Sequence, residues 1–222
     1  MVNTSRKSWI SFALVFVFSA CALPPPAVDP ITGLGNISIS PEPQSVKAML
    51  GSNVAVVLTE NTRNVVAYEN SLHNSTFYND YFSLSAETTQ VNEAETDPTA
   101  LAAGPAYELR KFVPQIWLAP DINTAKAKGA TYAVLLDITE QDRSNHIINL
   151  GTLELVWSYK FIFVRLGGQP SIVVEVDGIS DNTCPMSQSV NGEDQDAAKC
   201  DMQTRQLALS ALDSNMQSQF SP

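Results

Sequence analysis

The chain has 222 residues, of which 13 are basic and 23 acidic, giving a formal net charge of −10, and 44% of its residues are apolar. Phosphate backbones and anionic head groups repel a chain this acidic, which excludes nucleic acid as a partner. The apolar share is that of a globular body, and the length allows one sizeable domain.

The N-terminus divides into a basic pair, Arg6 and Lys7, an apolar run from Trp9 to Phe18, and the small residues Ser19 and Ala20 before Cys21. The run is too short to span a bilayer, which takes about 20 apolar residues. This segment resembles a bacterial lipoprotein signal peptide with its lipobox. The resemblance implies cleavage after residue 20 and lipidation of Cys21, with Phe18 standing where such lipoboxes usually carry Leu. Ala22 follows Cys21 in place of the aspartate that signals inner-membrane retention, so the resemblance implies an outer-membrane anchor with the domain facing the periplasm. Loss of Arg6 and Lys7 would take the net charge from −10 to −12. Pro24-Pro25-Pro26, Asp29-Pro30, Pro41 and Pro43 then exclude helix and central strand. Residues 21–48 are expected to be a lipidated, proline-rich tether, and residues 49–222 a single periplasmic domain.

Within that domain Val54 to Thr59 is a continuous apolar run, expected as a strand buried on both faces and ended by Glu60-Asn61-Thr62-Arg63-Asn64. Val65 to Phe82 is ambiguous: Val65, Glu69, Leu72 and Thr76 make no clean helical stripe, and Val65 to Tyr68 could return as a strand. The ring cluster from Phe77 to Phe82 must be buried somewhere. Residues 85–99 are acidic and polar, expected as an exposed loop, and Pro105 to Phe112 as a short helix. Gln115 to Ala119 then predicts a strand, Asp121 a helix cap, Gly129 a left-handed stop, and Tyr132 to Ile138 a second apolar strand. In the next strand Leu153, Leu155, Trp157, Tyr159, Phe161 and Phe163 alternate with Thr152, Glu154, Ser158 and Lys160, which puts a core on one face and water on the other. Gly167 to Pro170 is a turn, Ile172, Val174 and Val176 return as the second arm of a hairpin, and Ala197 to Phe220 is a helix with Leu209, Leu212, Met216 and Phe220 on one face.

Once Cys21 is lipidated, Cys184 and Cys200 remain as a pair on what looks like one mobile, polar stretch. In an oxidising compartment they are expected to form a disulfide, worth about 3 kcal/mol for a loop of this length. The order of elements predicts an α/β fold, a single mixed sheet of about five strands with helices, a long β-hairpin and a C-terminal helix. Asn53-Val54-Ala55-Val56-Val57-Leu58 before Asn61-Thr62, and the segment Ala125 to Leu135, carry a further resemblance. They are similar to the periplasmic α/β domain of curli-secretion lipoproteins, penicillin-binding-protein activator lipoproteins and the N-terminal domain of the Tol-system β-propeller protein. Thr131 replaces the usual aspartate, and an acidic insertion lies near residues 85–100. The resemblance implies accessory roles in secretion, polysaccharide export or cell-wall synthesis.

Signatures of chemistry are absent: there is no GxSxG, SxxK, glycine-rich phosphate loop or HExxH. His73 and His146 are expected at the surface. Asp181, Glu193, Asp194, Asp196 and Asp201 lack the alternation of a calcium loop and are expected to be a solvated acidic segment. Asp137, inside an apolar strand, is either a general acid or a backbone cap; the aromatic face from Trp157 to Phe163 is either a sugar platform or core, and core fits its alternation better. The expectation is a protein that is not an enzyme, has no catalytic residue, metal or cofactor, and works by binding an envelope protein partner or copies of itself. The rival readings are a cell-wall or polysaccharide hydrolase with a carboxylate pair, and a carrier of small apolar ligands with a pocket between the hairpin and the C-terminal helix.

Overall fold

A computed structural model describes residues 52–73, 98–143, 152–185 and 194–220. The described elements are β1 (Val54–Leu58), α1 (Glu60–His73), α2 (Pro98–Phe112), β2 (Ile116–Ala119), α3 (Ile122–Ala127), β3 (Tyr132–Asp142), β4 (Thr152–Arg165), β5 (Ser171–Pro185) and α4 (Asp194–Phe220). The strands make one mixed sheet in the order β2-β1-β3-β4-β5. Strand β1 is parallel to both β2 and β3, while β3, β4 and β5 alternate in direction. The expected α/β fold with a long hairpin and a C-terminal helix is therefore present. Cys21, the tether, the ring cluster Phe77–Phe82, His146 and Glu193 lie outside the described residues.

The first departure from the sequence reading is α1. The residues expected to end β1 instead open a helix, and Val65 to Tyr68 is its second turn rather than a strand. Thr59 is the cap: its Oγ1 accepts from the Thr62 amide at 3.3 Å, and Glu60 lies in the first turn, where the helix dipole favours an acid. A buried stripe does exist, in Thr62, Val65 and Glu69, but two of its three members are polar. Those polar residues have work at the sheet. Where β1 stops, the Thr62 hydroxyl donates to Leu136 O at 2.6 Å and accepts from Ile138 N at 2.8 Å, satisfying buried β3 backbone that β1 no longer pairs. Asp137 accepts from Thr59 Oγ1 at 2.6 Å and Asn61 Nδ2 at 3.1 Å, so it acts as a cap that joins β3 to the start of α1.

Three further boundaries moved. Helix α2 begins seven residues earlier than expected and carries Pro105 inside it. An interior proline costs about 3 kcal/mol, which is offset here because Leu101, Pro105 and Leu109 share one buried stripe at helical spacing. Strand β3 runs on to Asp142, and β5 runs to Pro185, well past Val176. Cys184 therefore sits on a strand and is 1% exposed, while Cys200 lies on α4, and the two are bridged with Cα atoms 5.6 Å apart. The expectation of two thiols on one mobile polar stretch was wrong in its setting, although the pairing itself is present.

The α3 region follows the sequence closely. Asp121 accepts from the Thr124 amide at 2.6 Å, and Gly129 takes φ +80° at the helix end, where a side chain would be strained. The sheet is thereby covered on both faces. On the first face α1, α2 and α4 pack over Val134, Leu136, Ile138, Trp157, Tyr159, Phe161 and Phe163. Burial of each large ring contributes about 2–3 kcal/mol. The second face has a smaller core of Ala55, Val57, Ala125, Ala133, Leu135, Ile162 and Val164 under α3. So β4 is not simply wet on its second face; Val156, Ile162 and Val164 are buried there.

Candidate functional site

The most unusual chemistry among the described residues lies within the first face. Glu140 projects from β3 beside Trp157 of β4, because those two residues are register partners. Glu69 comes down from α1, and Asp201 and Arg205 come across from α4. Arg205 Nη2 donates to Glu69 Oε1 at 3.0 Å, and its Nε lies 2.9 Å from Asp201 Oδ2. The guanidinium also stacks over the Trp157 ring, 4.3 Å from its centroid. Trp157 Nε1 donates to Asp201 Oδ1 at 2.5 Å. Asp201 is thus part of a half-sealed network, and the solvated acidic segment expected from the sequence is not its setting.

The charges in this network do not balance. Glu69 is 2% exposed and Glu140 9%, and together with Asp201 they put three carboxyls around one arginine. The Glu69 and Glu140 carboxyls face each other. Burial, then the charges of Glu69 and Asp201, hold the Glu140 carboxyl well above the ordinary carboxylate value of 4.5. Burial raises Glu69 as well, against the opposing pull of Arg205. Both carboxyls are thus biased toward their protonated forms, Glu140 the more strongly, while Arg205 pairs with Glu69. Glu140 Oε2 has no hydrogen-bond partner among the described residues, which is costly for a buried carboxylate and much less so for a neutral acid. The phenols of Tyr68 and Tyr159 are also pushed up, chiefly by burial.

This cluster was missed in the sequence because its members lie on four elements. The available signal was Glu69 at helical spacing from Thr62 and Val65, and Glu140 two residues beyond the buried Ile138. The aromatic face beside it is core: Trp157, Phe161 and Phe163 are each 0% exposed, so no sugar can stack on them. Glu69 and Glu140 are buried between the sheet and the helices, while Asp201 and Arg205 keep a small exposed share. Hydrogen bonds and ion pairs in the network join α1, β4 and α4, and Glu140 of β3 packs against them.

A separate open pocket of about 430 Å³ lies at the far end of β3–β5, lined by Arg143, Glu154, Asp181, Asn182 and Thr183 among others. It brings two carboxylates onto neighbouring strands. Both are exposed and the lining is mostly polar, so it lacks the apolar wall that sets the acid of a hydrolytic pair apart from its partner. The carrier's expected pocket, between the hairpin and the C-terminal helix, is filled where they cross. A Cβ on Gly178 of β5 would lie 2.2 Å from Ala208 O and 2.2 Å from Leu212 N of α4. Among the described residues no group of three or more His, Cys, Asp or Glu is placed to hold a metal ion. No described helix is long and apolar enough to cross a membrane.

The surface is more informative. Four large apolar side chains of the described residues are exposed: Tyr107, Leu118, Ile179 and Leu207. Leu118 is on β2, one edge of the sheet, and Ile179 is on β5, the other edge. Leu207 is on α4, which packs over β5. On that helix Arg205, Leu209 and Asp213 turn toward α1 and α2, meeting Glu69, Gly104 and Lys111 respectively. Leu207 therefore lies on the opposite, open flank, above the β5 edge.

No protein-family model matches this chain, and no curated protein matches it. Solved structures show distant likeness. The PelC dodecamer from Paraburkholderia phytofirmans in space group P6 is 13% identical, with a TM-score of 0.37, and the match covers 82% of this chain and 94% of PelC. A point variant of the same dodecamer in space group C2 is also 13% identical, at TM-score 0.36, with 77% and 90% covered. A chain from Caulobacter crescentus CB15, provisionally classed as a lipoprotein, is 11% identical at TM-score 0.30, with 53% of this chain and 78% of that chain covered. Likeness at these TM-scores carries no argument about what this chain does.

Proposed function

We propose that this chain is a lipoprotein anchored at Cys21 in the outer membrane, with a periplasm-facing domain that binds a protein partner in an envelope assembly and performs no catalysis. The assembly would serve secretion, polysaccharide export or cell-wall synthesis. The observation that carries the partner-binding reading is the placement of exposed apolar side chains: of the four large ones among the described residues, Leu118 and Ile179 lie on the two edge strands and Leu207 on the helix that packs over β5. Scattered surface leucines need no explanation, but apolar groups gathered at unpaired strand edges are the usual ingredients of strand-to-strand association. Charge repulsion from nucleic acid and from anionic lipid agrees with a protein partner. The enclosed Glu69–Glu140–Arg205 network supports a structural rather than a catalytic use of the buried acids.

The test is affinity purification of the full chain, with a C-terminal tag, from detergent-solubilised envelopes. Wild type should recover a defined partner that the doubly substituted Leu118→Asp, Ile179→Asp chain does not, while both fractionate with membranes. Recovery of the wild-type chain alone and monomeric would overturn the partner-binding reading. The anchor is tested independently: Cys21→Ser should leave the domain folded and free of the membrane, and a variant that still resists high-salt extraction would overturn lipidation at Cys21.

A further inference from the structure

Helix α4 is held in two different ways along its length. Its inward stripe repeats every fourth residue: Cys200, Thr204, Ala208, Leu212, Met216 and Phe220. The last four are buried members of the first core, and Ala208 and Leu212 lie against Gly178 where α4 crosses β5. Before that crossing the apolar hold stops. Of residues 199–205 only Thr204 is buried, and its hydroxyl donates back to Cys200 O at 2.8 Å. This earlier stretch is fastened by two other means: the Cys184–Cys200 bridge to β5, and the contacts of Asp201 and Arg205 with Trp157 and Glu69.

The second fastening depends on a proton. Glu140 feels the charges of Glu69 on α1 and of Asp201 and Arg205 on α4, with the Tyr68 phenol of α1, the Tyr159 phenol of β4 and Asp142, farther along β3, in the same neighbourhood. Were Glu69, Glu140 and Asp201 all ionised, three negative charges would meet one positive charge where Glu69 and Glu140 are cut off from water. Carboxylates this close and this buried do not all ionise in place. Relief must come from an element that can move. Strands β3 and β4 are each paired on both sides, and α1 is tied to β3 through Asn61 and Thr62. Asp201 and Arg205 are the members nearest water, their side chains 13% and 11% exposed against 3% for Glu69. Both stand on the weakly packed start of α4.

We infer that the start of α4, up to Arg205, is a proton-operated latch: it lies on the sheet while Glu69 and Glu140 keep a proton between them, and it lifts away from Trp157 when both ionise, pivoting at the Gly178 crossing. The Cys184–Cys200 bridge, one residue before Asp201, restrains the lift. Burial raises both acids in the seated form, so that form binds more protons than the lifted one, and lifting is favoured as pH rises. Lifting bares Trp157 and Tyr159, which are 0% and 3% exposed when the latch is seated. Beyond the crossing, Ala208, Leu212, Met216 and Phe220 stay in the core.

The experiment is amide hydrogen exchange, read by mass spectrometry on the full chain in detergent, for wild type and Glu140→Gln side by side. At a given pH the intrinsic exchange rate of an amide is the same in both chains, so the ratio between them reports opening. Residues 199–206 should exchange alike in the two chains below the ordinary carboxylate value of 4.5. Above it wild type should gain on Glu140→Gln by up to about tenfold per pH unit, the factor for one proton, until Glu140 ionises in the seated form as well. Residues 208–220 should show no such gain. Asp201→Asn, a change at a partly exposed side chain, should likewise rise less steeply with pH than wild type, which keeps the test open if Glu140→Gln does not fold. When wild type and Glu140→Gln both also carry Cys184→Ser and Cys200→Ser, the gain should be larger, because the lifted form is then fully hydrated. Wild type and folded variants that exchange alike at every pH would overturn the latch, as would a gain shared by residues 208–220, which would mean global unfolding. A gain no larger without the bridge would overturn the bridge's part alone.

Discussion

The two faces of this sheet are built from the same five strands, yet they hold opposite kinds of residue. Under α1, α2 and α4 lie the large rings and, sealed among them, three carboxyls and one arginine. Under α3 lie alanines and valines, and farther along β4 and β5 that face gives way to Lys160, Glu175 and Asp181 at the surface. The difference teaches that one sheet can hold a buried, charge-coupled network on one face and solvated charges on the other. On the helix-covered face, removing one charge is costly because it leaves its partner buried and uncompensated; on the second face it costs little, because water screens the group left behind.

The comparison is tested most severely at Arg205. Arg205→Ala should cost about 3–5 kcal/mol, because it strands Glu69 and Asp201 without their cation. Urea titration would measure this, and a loss under 1 kcal/mol would show that the network is solvated. Gly178→Ala should come next, destabilising by about 3 kcal/mol, since the methyl group has only the α4 backbone to push against. The expected signature is a lowered midpoint in chemical denaturation; an unchanged midpoint would mean that α4 does not lie on β5 as described.

The Glu69–Glu140 pair should give a smaller, pH-dependent effect. Both folded-state values are raised above 4.5, so the folded chain binds more protons than the unfolded chain. The pair's contribution is therefore fully present below 4.5 and is lost as pH rises through the raised values. Glu140→Gln cannot ionise, so its thermal midpoint should gain on wild type as pH increases. A gap between the two that is constant with pH would show that the pair shares no proton. The smallest effect is expected on the open face: Lys160→Ala removes a partly exposed 3.7 Å ion pair with Glu175 and should change stability by no more than about 0.5 kcal/mol.

Much of the sheet was legible in the sequence because its signals are local. The strict alternation from Leu153 to Phe163, the continuous apolar run at Val54, the Asp121 cap and the Gly129 stop each depend on residues within a turn or a strand of one another. The beginning of α1 was also encoded locally, in Thr59 and Glu60. It was misread because its buried stripe contains Thr62 and Glu69, and polar residues count as surface until the partner that satisfies them is known. Asp137 posed the same difficulty: Thr59 and Asn61, about 76–78 positions earlier, make it a cap.

The sequence by itself determined the class of fold, the hairpin, the C-terminal helix, the acidic character and the identity of the cysteines that pair. Only the tertiary structure decided that Cys184 belongs to a strand, that Glu69, Glu140, Asp201 and Arg205 meet, and that Leu118 and Ile179 lie on the two edge strands. The physical reason is range. Backbone propensity and periodicity are properties of neighbours in the chain, whereas burial, charge compensation and strand edges are set by which elements the sheet order brings together.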